Sequence, residues 1–155
     1  MRSLQITLII TFLVSSFSLQ ANELPKKDIN AILKYAKKFK GTPYQFGGTT
    51  PSAFDCSGFV RYVFNHFGYE LTQASYNLPD NGYKLPVSDL SAGDLIFFRK
   101  SSSYQSPIGH VGIVVKNDND GVHFIHASTS RGVIVSSLNE ESYFKLRAEG
   151  GVRLW

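Results

Sequence analysis

The residues best suited to chemistry in this sequence are its only cysteine, Cys56, and two of its four histidines, His110 and His126. A thiol acts as a nucleophile once a base takes its proton, and an imidazole with an ordinary pKa of about 6.5 is the base most often used. A second imidazole could orient the first. This set therefore indicates attack by the thiol on an amide carbonyl, with a histidine returning a proton to the leaving amine.

A metal site is the rival use of the same three residues. His110 follows Cys56 by 54 positions and His126 follows His110 by 16, whereas zinc motifs usually place ligands about two to five residues apart. The sequence also lacks a phosphate-binding loop and a nucleotide fingerprint. We therefore expect neither a metal nor any other cofactor.

The first residues of the chain indicate an export signal. One base, Arg2, precedes a mostly apolar stretch from Leu4 to Leu19, and the small residue Ala21 precedes a polar, charged run. This order predicts a secretory signal peptide over residues 1–21, with an uncleaved anchor as the alternative. The apolar stretch is short and interrupted by polar residues, which argues against a permanent membrane span of roughly 20 residues.

An unpaired cysteine is unusual in an exported protein. Such proteins normally pair their cysteines in disulfides, so Cys56 is either an accident or a thiol kept for its reactivity. No cysteine lies near the expected cleavage position to receive a lipid. We expect a mature protein that is exported, periplasmic or secreted, with no stable membrane anchor after signal cleavage.

Residues 22–155 have the length of one ordinary domain. The sequence is 43% hydrophobic and 14% aromatic, which favours a core rich in Phe and Tyr. The net charge is +4 for the whole chain and falls to +3 without Arg2. This balance suits a weak attraction to an anionic polymer and is too diffuse to indicate nucleic acid. We expect a monomer.

Two helices are predicted before the strands begin. Apolar residues recur at three- and four-residue steps over residues 28–40, where Asp28 could cap the start and Gly41 the end. A loop dense in Gly and Pro follows over residues 41–51. The lysines of the helix are expected on its solvated face; they are Lys34, Lys37, Lys38 and Lys40.

The second helix contains the cysteine. Its apolar residues run from Phe59 to Phe67, Gly68 closes it, and Asp55 is placed to act as its N-cap. Cys56 therefore lies in the first turn. There the helix dipole and the unpaired amide groups predict a thiol pKa below its ordinary value of about 8.5.

Antiparallel strands fill the rest of the domain. They are expected at residues 94–98, 110–116, 122–127, 132–136 and 151–154, with a hairpin turn at 117–121. Helices followed by such strands indicate an α+β fold.

The strand pattern distinguishes the four histidines. His110 opens a strand and shares its face with Gly112, which leaves room for something to approach. His126 lies near a strand end among apolar residues and needs a hydrogen-bond partner there. His66 and His123 are expected at the surface. From the strand pattern alone, a surface role for His110 and a structural role for His126 remain open.

Five motifs in order carry a family resemblance. They are Gly41-Thr42-Pro43-Tyr44 with Gly47-Gly48, Asp55-Cys56-Ser57-Gly58-Phe59-Val60, Gly93-Asp94-Leu95-Ile96-Phe97-Phe98, Gly109-His110-Val111-Gly112-Ile113, and His126-Ala127-Ser128 with Gly132-Val133. From about residue 29 to residue 154 the chain resembles the NlpC family of bacterial cell-wall cysteine peptidases. Within that family it is most similar to the Spr/MepS branch, the murein DD-endopeptidases.

The resemblance implies a papain-like α+β fold, with helices packed on a mostly antiparallel sheet, for an NlpC-type domain over residues 22–155. It implies Cys56 as nucleophile, His110 as general base and acid, and His126 as the group that orients His110. It places Tyr44, Asp55 and Ser57 at the substrate site, and Asp94 matches a motif aspartate that we interpret as structural. The implied substrate is the stem peptides of peptidoglycan, most of all their crosslinks.

Alternatives remain open. A related enzyme could cut the γ-D-glutamyl–diaminopimelate bond, the same chemistry could serve as an antibacterial toxin, or a catalytically silent module could bind the wall. The complete set of one cysteine and two histidines argues against the silent module. The family's Leu-Pro-Arg run appears here as Leu71-Thr72-Gln73. The proline and the arginine are both absent, so a specificity role carried by that arginine is not expected in this chain.

Overall fold

The computed structural model describes residues 26–71 and 77–155. Within these ranges the helices are α1 (Lys26–Lys37), α2 (Cys56–Asn65) and α3 (Ser142–Lys145). The strands are β1 (Thr49–Thr50), β2 (Ala53–Phe54), β3 (Tyr83–Leu85), β4 (Leu95–Arg99), β5 (Ile108–Asp118), β6 (Gly121–Ser128), β7 (Gly132–Ser137) and β8 (Ala148–Arg153). The predicted α+β class is confirmed.

One antiparallel sheet dominates the domain. Its six strands run in the order β3-β8-β4-β5-β6-β7, and each neighbouring pair is antiparallel. The predicted hairpin is present, because β5 turns into β6 with Asp118 opposite Gly121. The sequence pattern missed β3 and the first residues of β8. β3 has only three residues, and β8 begins three residues before the predicted start in a segment without apolar alternation.

The first helix is displaced from its predicted bounds. It begins at Lys26, so Asp28 lies inside its first turn rather than at its cap, and it ends at Lys37 rather than Lys40. The chain leaves the helix in a tight turn that reaches Gly41, whose φ is +87°. The apolar stripe is buried and the lysines are exposed, as predicted.

The predicted loop over residues 41–51 contains some regular pairing. Thr49 and Thr50 pair with Phe54 and Ala53 in a short hairpin, and Tyr44 bridges to Phe54. This pairing fixes the backbone just before α2 begins.

The sheet has an apolar cluster on each face. On one face α1 and α2 pack against Val111, Ile113 and other residues of the larger cluster. On the other face a smaller cluster includes Val114, Phe124 and Phe144. The alternation predicted for the strand of His110 is therefore confirmed, and the long strands carry side chains into two separate layers.

None of the described helices is long and apolar enough to cross a bilayer. The predicted signal peptide over residues 1–21 lies outside the described residues. So do Thr72 and Gln73, where the sequence departs from the family pattern.

Asp94 joins the turn before β4 to the last strand. Its carboxylate is fully buried and accepts a hydrogen bond from the Ser91 backbone N–H at 2.7 Å. It also accepts from Arg153, at 3.0 Å from Nε and 2.8 Å from the terminal nitrogen. Asp94 thus links two neighbouring strands that are far apart in sequence.

We predict that Asp94→Ala lowers the free energy of unfolding by about 2 kcal/mol. This is less than a fully buried pair would lose, because water can solvate the freed guanidinium; the side chain of Arg153 is 31% exposed. Urea unfolding measures the change. The control is Asp80→Ala, which breaks an exposed pair with Lys84 and should change stability by less than about 0.5 kcal/mol. Equal effects of both variants would contradict the structural role of Asp94.

Candidate active site

The start of α2 is held by one carboxylate. Asp55 is its N-cap and accepts hydrogen bonds from the Gly58 N–H at 2.6 Å and the Ser57 hydroxyl at 3.0 Å. Its other oxygen accepts from the Gly47 N–H at 2.9 Å. Because capping satisfies amide groups that the helix leaves unpaired, this arrangement fixes the position of Cys56 at the first residue of the helix.

The Cys56 thiol is buried against the start of β5. The residue is 8% exposed, and the backbone N–H groups of Val111, Ser57 and Cys56 itself lie near enough to the sulfur to act as donors that lower the pKa of the thiol. These donors stabilise a thiolate. Their lowering of the pKa is smaller than the opposite effect of burial and of the nearby Asp55 carboxylate, which together raise the pKa of the thiol to about 11.

The prediction of a lowered thiol pKa is therefore wrong. The predicted helix start is present, but the same cap that builds it places a negative charge next to the sulfur. Burial also disfavours the charged form. In the resting protein at neutral pH, Cys56 is a thiol rather than a thiolate.

The two predicted histidines form a hydrogen bond with each other. The Nε2 atom of His110 lies 2.8 Å from Nδ1 of His126, and the rings are perpendicular. His126 is fully buried, and its Nε2 lies 3.0 Å from the hydroxyl of Ser136. The three side chains form one continuous hydrogen-bonded row across β5, β6 and β7.

Both imidazoles are neutral at physiological pH. Burial lowers the pKa of His110 to about 4. Burial, followed by the neighbouring His110 and Arg131, lowers the pKa of His126 to about 2. Their aromatic surroundings explain this, since Phe144 lies 5.9 Å from the His110 ring and 5.0 Å from the His126 ring, centroid to centroid.

The row of hydrogen bonds admits two proton arrangements. In one, His110 donates from Nε2 to His126, which in turn donates from Nε2 to Ser136, and Nδ1 of His110 keeps a free lone pair. In the reverse arrangement Nδ1 of His110 carries the proton and cannot accept another. Only the first makes His110 a base toward a group other than His126.

Cys56, His110 and His126 line one cleft of about 530 Å³. Tyr44 lines it as well, as predicted for a residue beside the cysteine. The other walls include charged and aromatic residues that follow Cys56 in the chain, namely Arg99, Lys100, Arg131, Glu141, Tyr143 and Phe144. The cleft thus combines a thiol, a neutral imidazole and several cations.

Two predicted substrate-site residues are placed elsewhere. Asp55 and Ser57 do not line the cleft, and their side chains bond to each other within the cap. A direct contact of either with substrate stays a prediction. Contrary to the prediction from the sequence, Gly112 does not leave open space beside His110. A Cβ atom there would lie 2.9 Å from the Phe124 ring and 3.3 Å from Cβ of His126, so the glycine allows these side chains to pack closely. The space beside His110 is filled by the protein itself.

The sequence reasoning missed Ser136 and Phe144. Ser136 is a buried polar residue on β7, directly opposite Phe124. A serine in a strand otherwise rich in β-branched residues, on the face expected for His126, is a signal that could have identified it. Phe144 lies in α3, a four-residue helix too short for a periodic pattern. No group of residues suited to holding a metal ion occurs among the described side chains.

Comparison with known proteins identifies relatives of the whole domain. The NlpC/P60 family matches residues 41–151. The murein DD-endopeptidase MepS/murein LD-carboxypeptidase of Escherichia coli K12 is 44% identical over 110 residues, which are 70% of this chain and 54% of that protein. The probable peptidoglycan endopeptidase LytE of Bacillus subtilis is 40% identical over 130 residues, 81% of this chain and 34% of LytE. The chain thus spans about half, or less, of the length of these relatives.

Solved structures of NlpC/P60 proteins have a fold similar to that of this chain. The NlpC/p60 domain of the peptidoglycan hydrolase SagA superposes with a TM-score of 0.66 at 33% identity, covering 81% of this chain and 97% of that domain. An NlpC/P60 family protein from Bacillus cereus superposes with a TM-score of 0.72 at 28% identity, covering 86% of this chain and 42% of the other.

The raised thiol pKa predicts slow alkylation of the native protein near neutral pH. Because the thiolate is the reactive form, the rate of modification by iodoacetamide should rise about tenfold per pH unit from pH 7 to pH 10. Intact-mass spectrometry measures the rate, and circular dichroism confirms that the fold persists at each pH. In urea, where the thiol has an ordinary pKa, the rate should level off above about pH 9. A native rate that levels off below pH 8 would contradict the raised pKa.

Proposed function

This chain belongs to the NlpC/P60 family, and on that premise we propose that it is a cysteine endopeptidase that hydrolyses amide bonds in peptidoglycan peptides. The observation that carries the proposal is the hydrogen bond between His110 and His126 in the cleft that also contains the Cys56 thiol. That bond occupies Nε2 of His110 and leaves Nδ1 as the nitrogen available to the thiol.

Acylation begins with the thiol neutral. The Nδ1 lone pair of His110 takes the Cys56 proton as the sulfur attacks the carbonyl carbon, because neither group is charged at rest. His110 then gives that proton to the leaving nitrogen, the carbon–nitrogen bond breaks, and the amine departs from a thioester on Cys56. The transfer during attack removes the need for a resting thiolate.

Deacylation uses the same base. His110 takes a proton from a water molecule that attacks the thioester carbonyl, and the carbon–sulfur bond breaks to release a carboxylic acid. The sulfur recovers its proton from His110. Backbone N–H groups at the start of α2 lie beside the sulfur. We propose that they donate hydrogen bonds to the oxyanion that forms in each step.

His126 and Ser136 act on His110 rather than on the substrate. His126 accepts from Nε2 of His110 and stabilises the imidazolium formed during attack. Ser136 lies within hydrogen-bond distance of Nε2 of His126 and accepts from it in the proton arrangement in which Nδ1 of His110 is unprotonated. Both are therefore positioning residues.

Substrate and location follow from the relatives and the charge. Relatives named as murein and peptidoglycan endopeptidases support the crosslinks between stem peptides as the bonds cut. The same substrate supports a place outside the cytoplasm, in agreement with the predicted signal peptide. The net positive charge favours residence on an anionic wall, and we propose that the enzyme acts as a monomer.

Digestion of purified muropeptides tests the function. The mature protein should convert crosslinked dimers to monomers, and the product masses identify the bond. Cys56→Ala should produce no monomers, while Lys34→Gln, a change of an exposed residue on α1, should act like the unchanged protein. Survival of both dimers and stem peptides would refute the hydrolase, and equal products with Cys56→Ala would refute the thiol mechanism.

We predict that Ser136→Ala lowers kcat about tenfold with little change in KM, because the orientation and proton arrangement of the histidine pair are lost. Ser136→Thr keeps the hydroxyl and should retain most of the activity. Imidazole nitrogen NMR provides a second measurement, since the Nε2–H signal of His110 should weaken in the alanine variant. Normal kcat and an unchanged spectrum, with only a lower melting temperature, would show a purely structural hydroxyl.

A further inference from the structure

The cations of the cleft differ in their partners. Arg99 is paired with Glu149 at 2.6 Å. Arg131 is paired with Glu141, also at 2.6 Å. Lys100 lines the same cleft, yet its ammonium forms no ion pair with any residue that the structure describes. It is the cation in the cleft that remains available to a ligand.

The chain holds Lys100 next to the base. Its backbone N–H donates to Pro107 at 2.9 Å, which closes the loop between β4 and β5. Its aliphatic stem lies across Gly109, where an added Cβ atom would be 3.2 Å from Cε of the lysine. The ammonium is one bond beyond Cε, so it lies beside the residue that precedes His110.

The charge balance of the cleft leaves this ammonium uncompensated. Among the described residues that line the cleft, Glu141 is the one that carries a carboxylate, and Arg131 already neutralises it. An anionic group of a bound molecule would therefore meet an unpaired positive charge close to the reacting groups. Such an interaction is modest in water and is screened by salt.

We propose that Lys100 is a specificity-determining residue that binds a free carboxylate of the peptide being cut. The inference rests on the proposed function, because it assigns the partner from the chemistry of peptidoglycan peptides. A glutamate linked through its γ-carboxyl keeps its α-carboxylate free, and a peptide chain ends in another carboxylate. Either group supplies the charge that the cleft lacks.

Binding to an inactive protein tests the inference without turnover. In a Cys56→Ala background, calorimetry compares a purified crosslinked muropeptide dimer with the same dimer after its carboxylates are converted to amides. Amidation should weaken binding about fivefold at low salt, and Lys100→Gln should weaken binding of the unmodified dimer by about the same factor. The lysine variant should leave binding of the amidated dimer unchanged.

Matched variants separate this contact from general charge. Lys34→Gln removes one positive charge from the exposed face of α1 and should leave both affinities unchanged, whereas Lys100→Arg should retain the preference for carboxylates and Lys100→Glu should lose it. Equal affinity of Lys100→Gln and Lys34→Gln for the unmodified dimer would overturn the inference. So would a Lys100→Gln loss of the same size for both dimers, since it would not depend on the carboxylate.

The outcome for Lys100 is distinguishable from that for the enzyme. If the unchanged protein cuts no muropeptide, the proposed function fails, whatever the calorimetry gives. If it cuts the dimer and Lys100→Gln shows the kcat/KM of the unchanged protein on both substrates, the function stands and the inference fails. A rise in KM for the unmodified dimer, with kcat retained, supports both.

Discussion

The hydrogen bond between the imidazoles of His110 and His126 is the constraint on which the rest of this structure depends. His126 is fully buried and His110 is partly buried, both against aromatic rings, and desolvation keeps each imidazole neutral at rest. The neighbouring strands supply hydrogen-bond partners for both ring nitrogens of the buried His126, in one row that runs from His110 to Ser136. Nδ1 of His110 takes no part in this row of hydrogen bonds. We propose Nδ1 as the nitrogen that acts as a base.

The thiol is under a related constraint. The Asp55 cap that starts α2 also places a carboxylate near the sulfur, and burial adds to its effect. Nucleophile and base therefore rest in neutral forms, so neither of these two groups holds a buried charge before the substrate arrives. In the proposed mechanism, charge separates only during attack, when His126 can stabilise the imidazolium and the helix start can hold the oxyanion.

Residues on either side of the histidines in the chain complete the site around its reactive groups. The short helix α3 contributes Phe144, which contacts both histidine rings and so helps to keep them neutral. Arg131 and Glu141 neutralise each other in the wall of the cleft, and the loop after β4 brings Lys100 across Gly109. The cleft thus acquires its charge pattern from segments that carry none of the proposed catalytic groups.

The sequence alone determined the features with local causes. The cap of α2, the position of Cys56, the strand face of His110 and the hairpin after β5 all depend on neighbouring residues, and each was predicted. Tertiary structure decided the direction of the thiol pKa, the place of Ser136 and Phe144 beside the histidines, and the lack of an ion pair for Lys100 among the described residues. The reason is physical, because burial and cross-strand pairing join residues that are distant in sequence, and desolvation can then outweigh a helix dipole that acts only within one turn.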